Sequence, residues 1–380
     1  MKKNSKWGLL AAAILLVVFT GGLILFHGSI EKTPLRPTGG NTFAKATVLE
    51  VLSDNTETTE DGEMLGNQTV KIKITSGAYK GEECEATSPN SNNSGAYCKV
   101  GTKVIILVNK GESGQIVASV YNYDRAFVLL VLVGLFIAVL CLIGGKQGVA
   151  SVIGLIFTFV CIFGLYIPMM YIGISPFLAA TVTSILVTVV VMFLIGGWSY
   201  KTLCATAGTV AGVLIAGGLA AIFGYFGHIS GLNVDDVETL AYVAQNSKLD
   251  VGGVLFSGIL IASLGAIMDV SMSVSSTIAE IHETNPGIGR KQLFASGIHV
   301  GKDMMGTMSN TLILAFAGSS INSLIIIYSY NMSSLEYMNR YDIGIELLRG
   351  ITGSMGVILT VPLVSFIAAF LMAGKKTQKN

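Results

Sequence analysis

The sequence predicts an all-α polytopic membrane bundle of about eight transmembrane helices. A small extracytoplasmic β-domain, an OB-like or other barrel, is expected between the first and second helices. Three observations carry this. The 380 residues are 52% hydrophobic and 12% charged, with a mean hydropathy of +0.67, whereas ordinary globular chains carry about 25% charged residues. The charges are uneven: residues 1–125 hold 25 of the 47 Asp, Glu, Lys and Arg. Eight apolar runs are also long enough to cross hydrocarbon. This composition excludes a soluble enzyme and a disordered regulator. The net charge of +1 supplies no basic footprint for nucleic acid.

A crossing takes about 20 predominantly apolar residues. The runs are 7–26, 126–143, 149–168, 176–197, 203–226, 252–276, 304–327 and 350–373. The first follows Lys2, Lys3 and Lys6. Its length and lack of a clear A-x-A site favour an uncleaved anchor over a cleavable signal sequence. The domains are therefore a signal-anchor at 1–27, a β-domain at 40–124, seven helices at 126–373 and a basic tail at 374–380.

Lys and Arg in short loops set orientation. With the N-terminus inside, eleven fall in cytoplasmic segments, against Lys248, Arg340 and Arg349 outside. Both termini are expected in the cytoplasm and residues 27–125 outside it. Cys84 and Cys98 then lie in an outer segment, where they could bridge or stand as free thiols. The other three cysteines lie in apolar helices.

Residues 41–124 alternate apolar with polar at 43–52, 68–75, 84–87, 102–109 and 115–121, the period of half-buried strands. Turn-rich clusters separate them. Such a domain reads first as a spacer or docking module, and ligand binding is the alternative.

An ionisable side chain inside a membrane helix is a functional candidate by default. In the run around Gly265–Ser276, the helical period puts Asp269, Ser273 and Ser276 on one face. Gly258, Ala262 and Gly265 precede them as a small-residue stripe fit for close helix contact. In the next helix Asp303, Thr307, Asn310 and Thr311 share a face. A hairpin would place Asp269, about 9 Å deep by helical rise, near Thr307 and Asn310, with Asp303 nearer the mouth. This set could hold a cation or proton, or end a polar pathway. The competing reading makes Asp269 a snorkelling side chain and the others interhelical hydrogen-bond donors.

Pro362 falls mid-helix and should kink it. Gly208, Gly212, Gly217 and Gly218 are packing glycines. Glu346 and Arg349 read as a local ion pair. His282, Glu283 and His299 lack metal-ligand spacing, so no metal and no cofactor is expected. Residues 289–300 form a short amphipathic segment that reads as lying on the membrane surface.

The runs GAIMDVSMSVSSTIAEI (265–281), NP (285–286), KDMMGTMSNTLILAFAG (302–318) and ELLRGITGSMGVILTVPL (346–363) resemble the YibE/F family of bacterial membrane proteins. The outer pattern TSGAYKGEE (75–83) with KVGTKVIILV (99–108) is similar to YibE-like members. The resemblance implies a multi-pass protein of the bacterial cell (plasma) membrane, often paired with a companion YibF-like membrane protein, and supplies no activity. The expected partners are the lipid bilayer and that companion or a second copy, with no nucleic acid. The expected function is transporter- or permease-like, with the polar site around Asp269. The alternative is a non-transporting scaffold or envelope-assembly factor whose outer domain docks a partner. An enzyme is not expected: Gly301-Lys302 before Asp303 departs from the G-x-G-D pattern of intramembrane aspartyl proteases.

Overall fold

The computed structural model describes residues 42–373 apart from 61, 92–93, 111–114 and 235, with scattered positions between 19 and 30. The anchor reading at 7–26 and the basic tail fall largely or wholly outside the described residues. The chain divides into two compact units, Pro34–Val139 and Met1–Thr33 with Leu140–Asn380.

The first unit carries β1 (Thr42–Thr58), β2 (Met64–Ile74), β3 (Glu83–Asn90), β4 (Lys103–Lys110) and β5 (Ile116–Tyr123). They close into a barrel in the order β1-β2-β3-β5-β4, with β3 and β5 parallel. Inward positions are small or β-branched: Ala46, Val48, Val70, Ile72, Val104 and Ile106 are all at most 2% exposed. The expected strand 43–52 is longer in the structure. β1 and β2 pair out to Thr58 opposite Met64, so part of the turn-rich cluster at 53–66 is a projecting hairpin. Its side chains face water on both sides, which erased the alternation.

One buried amide organises the barrel's loops. Gln68, 1% exposed, accepts the Cys98 backbone N–H at 2.7 Å and donates to Asp54 Oδ2 at 3.0 Å. Ser88 donates to the Ala96 carbonyl at 2.6 Å. Gly95 sits between these anchors at φ +82, where a Cβ would run into the Pro89 carbonyl, so only glycine fits there. Hydrogen bonds from Thr56 hold the Asp54 carboxyl below the usual carboxylate range, and that charge raises Tyr97.

Beyond the barrel come α1 (Ala126–Cys161), a π-helical turn at 162–166, α2 (Ile167–Tyr171), α3 (Pro176–Gly196), α4 (Tyr200–Phe226) and α5 (Val237–Gln245). They are followed by α6 (Val251–Thr284), α7 (Arg290–Ser319), α8 (Ile321–Ser329), α9 (Ser334–Tyr337) and α10 (Tyr341–Met372). Among the described residues five helices are long and apolar enough to cross a membrane, or six if the bent pair α7–α8 is one span. The count differs from eight for two further reasons. The expected runs 126–143 and 149–168 lie in one 46-residue helical stretch, broken at Gly145 (φ 53, ψ −125). There the chain doubles back, since Gly148 lies against the backbone of Leu140 and Cys141. The run 304–327 is broken at Ser320, where α7 and α8 meet at 64°.

Glycine sets the packing of the helical unit. Gly208, Gly212 and Gly356 bring α4 and α10 together antiparallel, meeting Val364, Thr360 and Ala216 in turn. Gly217 and Gly224 seat Leu260 and Phe256 of α6 against α4. Gly297 and Gly301 lie on Ser365 and Val361, so α7 runs antiparallel to α10. The core at these seams is Ile267, Val270, Val274, Val357, Val361 and Val364, all at most 1% exposed. Pro362 lies inside α10, which continues as helix on both sides.

The segment 289–300 is not a free surface helix. It is the first part of a continuous α7, with Leu293 fully buried and Gly297 on Ile278. Arg290 stacks over the Phe370 ring at 4.7 Å to its centroid.

Candidate intramembrane polar site

Two contacts fix α6 against α7. Ile278 meets Gly297, and Ser263 and Leu312 both meet Gly353. Equal steps along the antiparallel helices bring Asp269 level with Gly306, between Asp303 and Asn310. α6 and α7 are thus antiparallel neighbours.

Its polar face points outward. Asp269, Asp303, Thr307 and Asn310 are exposed, and Ser273 and Ser276 are half-buried. Among the described residues no hydrogen bond or ion pair engages the side chains of Asp269 or Asn310. Thr307 turns its hydroxyl back to the Met304 carbonyl at 3.0 Å, and Thr311 to the Thr307 carbonyl at 2.8 Å. The small-residue stripe expected to pack is likewise open: a Cβ at Gly258, Gly265 or Gly306 would meet nothing within 4 Å. The opposite side of α6 is packed in the core, whereas α7 beyond Gly301 is half-buried or exposed throughout, Ile313 and Leu314 included. Ile267 and Val270, flanking Asp269, are fully buried. The result is a polar, small-residue strip on the outer surface, continuous with the exposed part of α7. Glu346 and Arg349 form the expected local pair at 3.0 Å.

The sequence reading missed a second polar feature. Thr181, Ser184 and Thr188 recur on one face of α3 and line a small cavity with Val210, Val213 and Leu214 of α4. Their hydroxyls are buried and without a hydrogen-bond partner, whereas Thr206 and Thr209 of α4 bond the carbonyls of Thr202 and Ala205 at 2.8 Å. An orphaned buried hydroxyl costs about 1–3 kcal/mol, and an apolar group of the same shape removes that cost. Thr188→Val is therefore expected to raise stability in detergent by about 1 kcal/mol, read as a higher melting midpoint. A lower midpoint would show that the hydroxyl is satisfied. The spacing i, i+3, i+7 was visible in the sequence, but Ser and Thr are common in membrane helices and drew no notice.

Cys84 and Cys98 are free thiols. Cys84 pairs with Ile72 on the sheet while Ser88, which holds the Ala96–Cys98 segment, pairs with Gln68. That is about 13 Å along β3, and a bridge requires Cα atoms within about 7 Å. Burial pushes both thiols up, which keeps them protonated and slow to react at neutral pH. Among the described residues no three His, Cys, Asp or Glu side chains converge as metal ligands.

A five-stranded barrel joined to long apolar helices, with an unpaired carboxylate on one helix face, defines a multi-pass membrane protein with a folded polar domain. Family models match along nearly all of this region: YibE/F-like protein over residues 132–374 and YibE/F family N-terminal domain over residues 42–123. The chain belongs to the YibE/F family. No curated protein and no solved structure matches it.

Proposed function

We propose that the protein is one subunit of a permease-like assembly, whose path for a small ion or solute runs along the outward polar face of α6 and α7. The observation that carries this reading is the exposure of Asp269 on α6, a helix whose opposite side is apolar and packed, level with Gly306 and flanked by Asp303, Thr307 and Asn310. A charged side chain at mid-membrane costs about 2.5–3.5 kcal/mol on insertion scales. Facing bare lipid, Asp269 would carry that cost with nothing to offset it. A neighbouring membrane subunit, either a second copy or a YibF-like companion, closes the face and leaves a hydrated groove between the two. Asp269 is then the carboxylate that binds or relays the charge, and Thr307 and Asn310 supply the other ligands.

The location we infer is the bacterial cell membrane, with both termini cytoplasmic and the barrel outside. The Lys and Arg asymmetry supports this orientation, and the alternating helix sense it requires is met: α4 opposes α6 and α10, and α7 opposes α10. A non-transporting scaffold is the second reading. It is favoured by one observation, the closed polar barrel, a module suited to docking a partner. Flux in proteoliposomes containing wild type or Asp269→Asn, with any companion co-purified, separates the two. The permease reading predicts ion or solute movement that the substitution abolishes. Equal flux with both proteins removes it.

A further inference from the structure

The barrel holds a polar cleft that the intramembrane site does not use. It has a volume of about 480 Å³, within the ~300–1,000 Å³ typical of small-molecule sites. Glu63, Asn90, Tyr97, Asn122, Tyr123 and Arg125 are among its lining residues. The walls are fixed. Tyr123 donates its hydroxyl to the Tyr97 carbonyl at 3.0 Å, and the Asn90 amide donates to the Met64 carbonyl. The Gly95 backbone N–H is held by the Tyr121 carbonyl at 2.9 Å.

Two opposite charges stand at this cleft without ion partners among the described residues. Arg125 has its guanidinium 5.5 Å from the centre of the Tyr123 ring, leaving N–H edges free to donate. The neighbouring acid cannot neutralise it, because Asp124 is paired with Lys45 at 2.8 Å. The Glu63 carboxylate has no ion pair among the described residues. A ligand that satisfies both walls carries an anion for Arg125 and a cationic N–H donor for Glu63, on a body small enough for the cleft. Position narrows the class further. Arg125 immediately precedes α1, whose first residues Phe127–Val133 are apolar and exposed, so the cleft opens where that helix enters the bilayer. Arg is the residue suited to forked recognition of a phosphate.

We propose that the cleft binds the zwitterionic headgroup of an ethanolamine phospholipid, with Arg125 on the phosphate, Glu63 on the ammonium, and Tyr97 and Tyr123 against the linker between them. Both charges are exposed at the rim, so the variants Glu63→Gln and Arg125→Gln leave the barrel core untouched.

The test is lipid retention by the full-length protein in detergent, measured by native mass spectrometry with added phosphatidylethanolamine, phosphatidylcholine or phosphatidylglycerol. Wild type is expected to retain phosphatidylethanolamine about tenfold better than the other two, the scale of one charge-assisted hydrogen bond. Methylation removes the donors that reach Glu63, and glycerol lacks the cation. Glu63→Gln should erase the preference over phosphatidylglycerol. Arg125→Gln should weaken all three, and Arg125→Lys should keep most of the binding. Equal retention of the three lipids by wild type, or an unchanged preference in both neutral variants, overturns the proposal. Soluble glycerophosphoethanolamine competing as well as the intact lipid would overturn the membrane source and assign the site to a free zwitterion.

Discussion

Gly212→Leu is expected to abolish accumulation of folded protein, and Gly212→Ala to lower its stability by about 1–3 kcal/mol, the usual cost of overpacking. The position is enclosed on two sides. A Cβ there overlaps Thr360 Oγ1, with the Thr360 Cβ at 3.1 Å and the Ile267 Cγ2 at 3.0 Å. Thr360 is short, β-branched and fully buried, with its hydroxyl committed to the Gly356 carbonyl at 2.7 Å, so it has no rotamer into which to retreat. α4 would have to move off α10, opening the contacts at Gly208 and Gly356 together. The compensating change is Thr360→Ala, which removes the clashing oxygen. Melting midpoints in detergent for the two single variants and the double should give a coupling of about 1 kcal/mol or more. Additive losses would mean that the two helices do not meet at this seam.

The second large effect is at Asp269, and it has the opposite character. Asp269→Leu is expected to leave folding intact or strengthen it. The side chain makes no hydrogen bond or ion pair within the described chain, and an apolar residue is better tolerated in hydrocarbon. The same substitution should abolish flux and weaken association with the neighbouring subunit. A variant that is well folded and monomeric yet inactive is the signature of an interface carboxylate. Loss of the folded state instead would show that Asp269 is held by the chain's own core. Asp303→Asn, one turn before Thr307 in the middle of α7, should reduce flux more mildly.

These two positions show what was legible in the sequence and what was not. The packing at Gly208 and Gly212 could be read from the four-residue spacing of glycines, and α4 uses it. The stripe Gly258, Ala262, Gly265 has the same grammar on α6, yet nothing among the described residues fills it at either glycine. Helical periodicity says which residues share a face, but a face has no sign: it does not say whether the face turns inward or outward. For that reason the Asp269–Asn310 level was readable and its outward aim was not. The barrel strands were legible wherever one side was buried. They were lost past Ser53 because the β1–β2 hairpin is polar on both sides. The double-back at Gly145 was visible as a loop, and the sharp bend at Ser320 was not, since Gly318 and the Ser319-Ser320 pair beside it sit inside one unbroken run of low polarity.

The most direct test of the outward polar face asks what solvent it meets. Single cysteines at Gly265 and Gly306, in a background lacking the native cysteines, leave room for a nitroxide label because nothing lies within 4 Å of either Cβ position. The collision rates of these labels with a water-soluble paramagnetic reagent and with oxygen report water against lipid in membranes containing the assembled protein. The permease reading predicts that the water-soluble reagent dominates at both sites, while oxygen dominates at the exposed apolar positions Leu214 and Phe366. Oxygen-dominated relaxation at Gly265 and Gly306 as well would place Asp269 against lipid and contradict it.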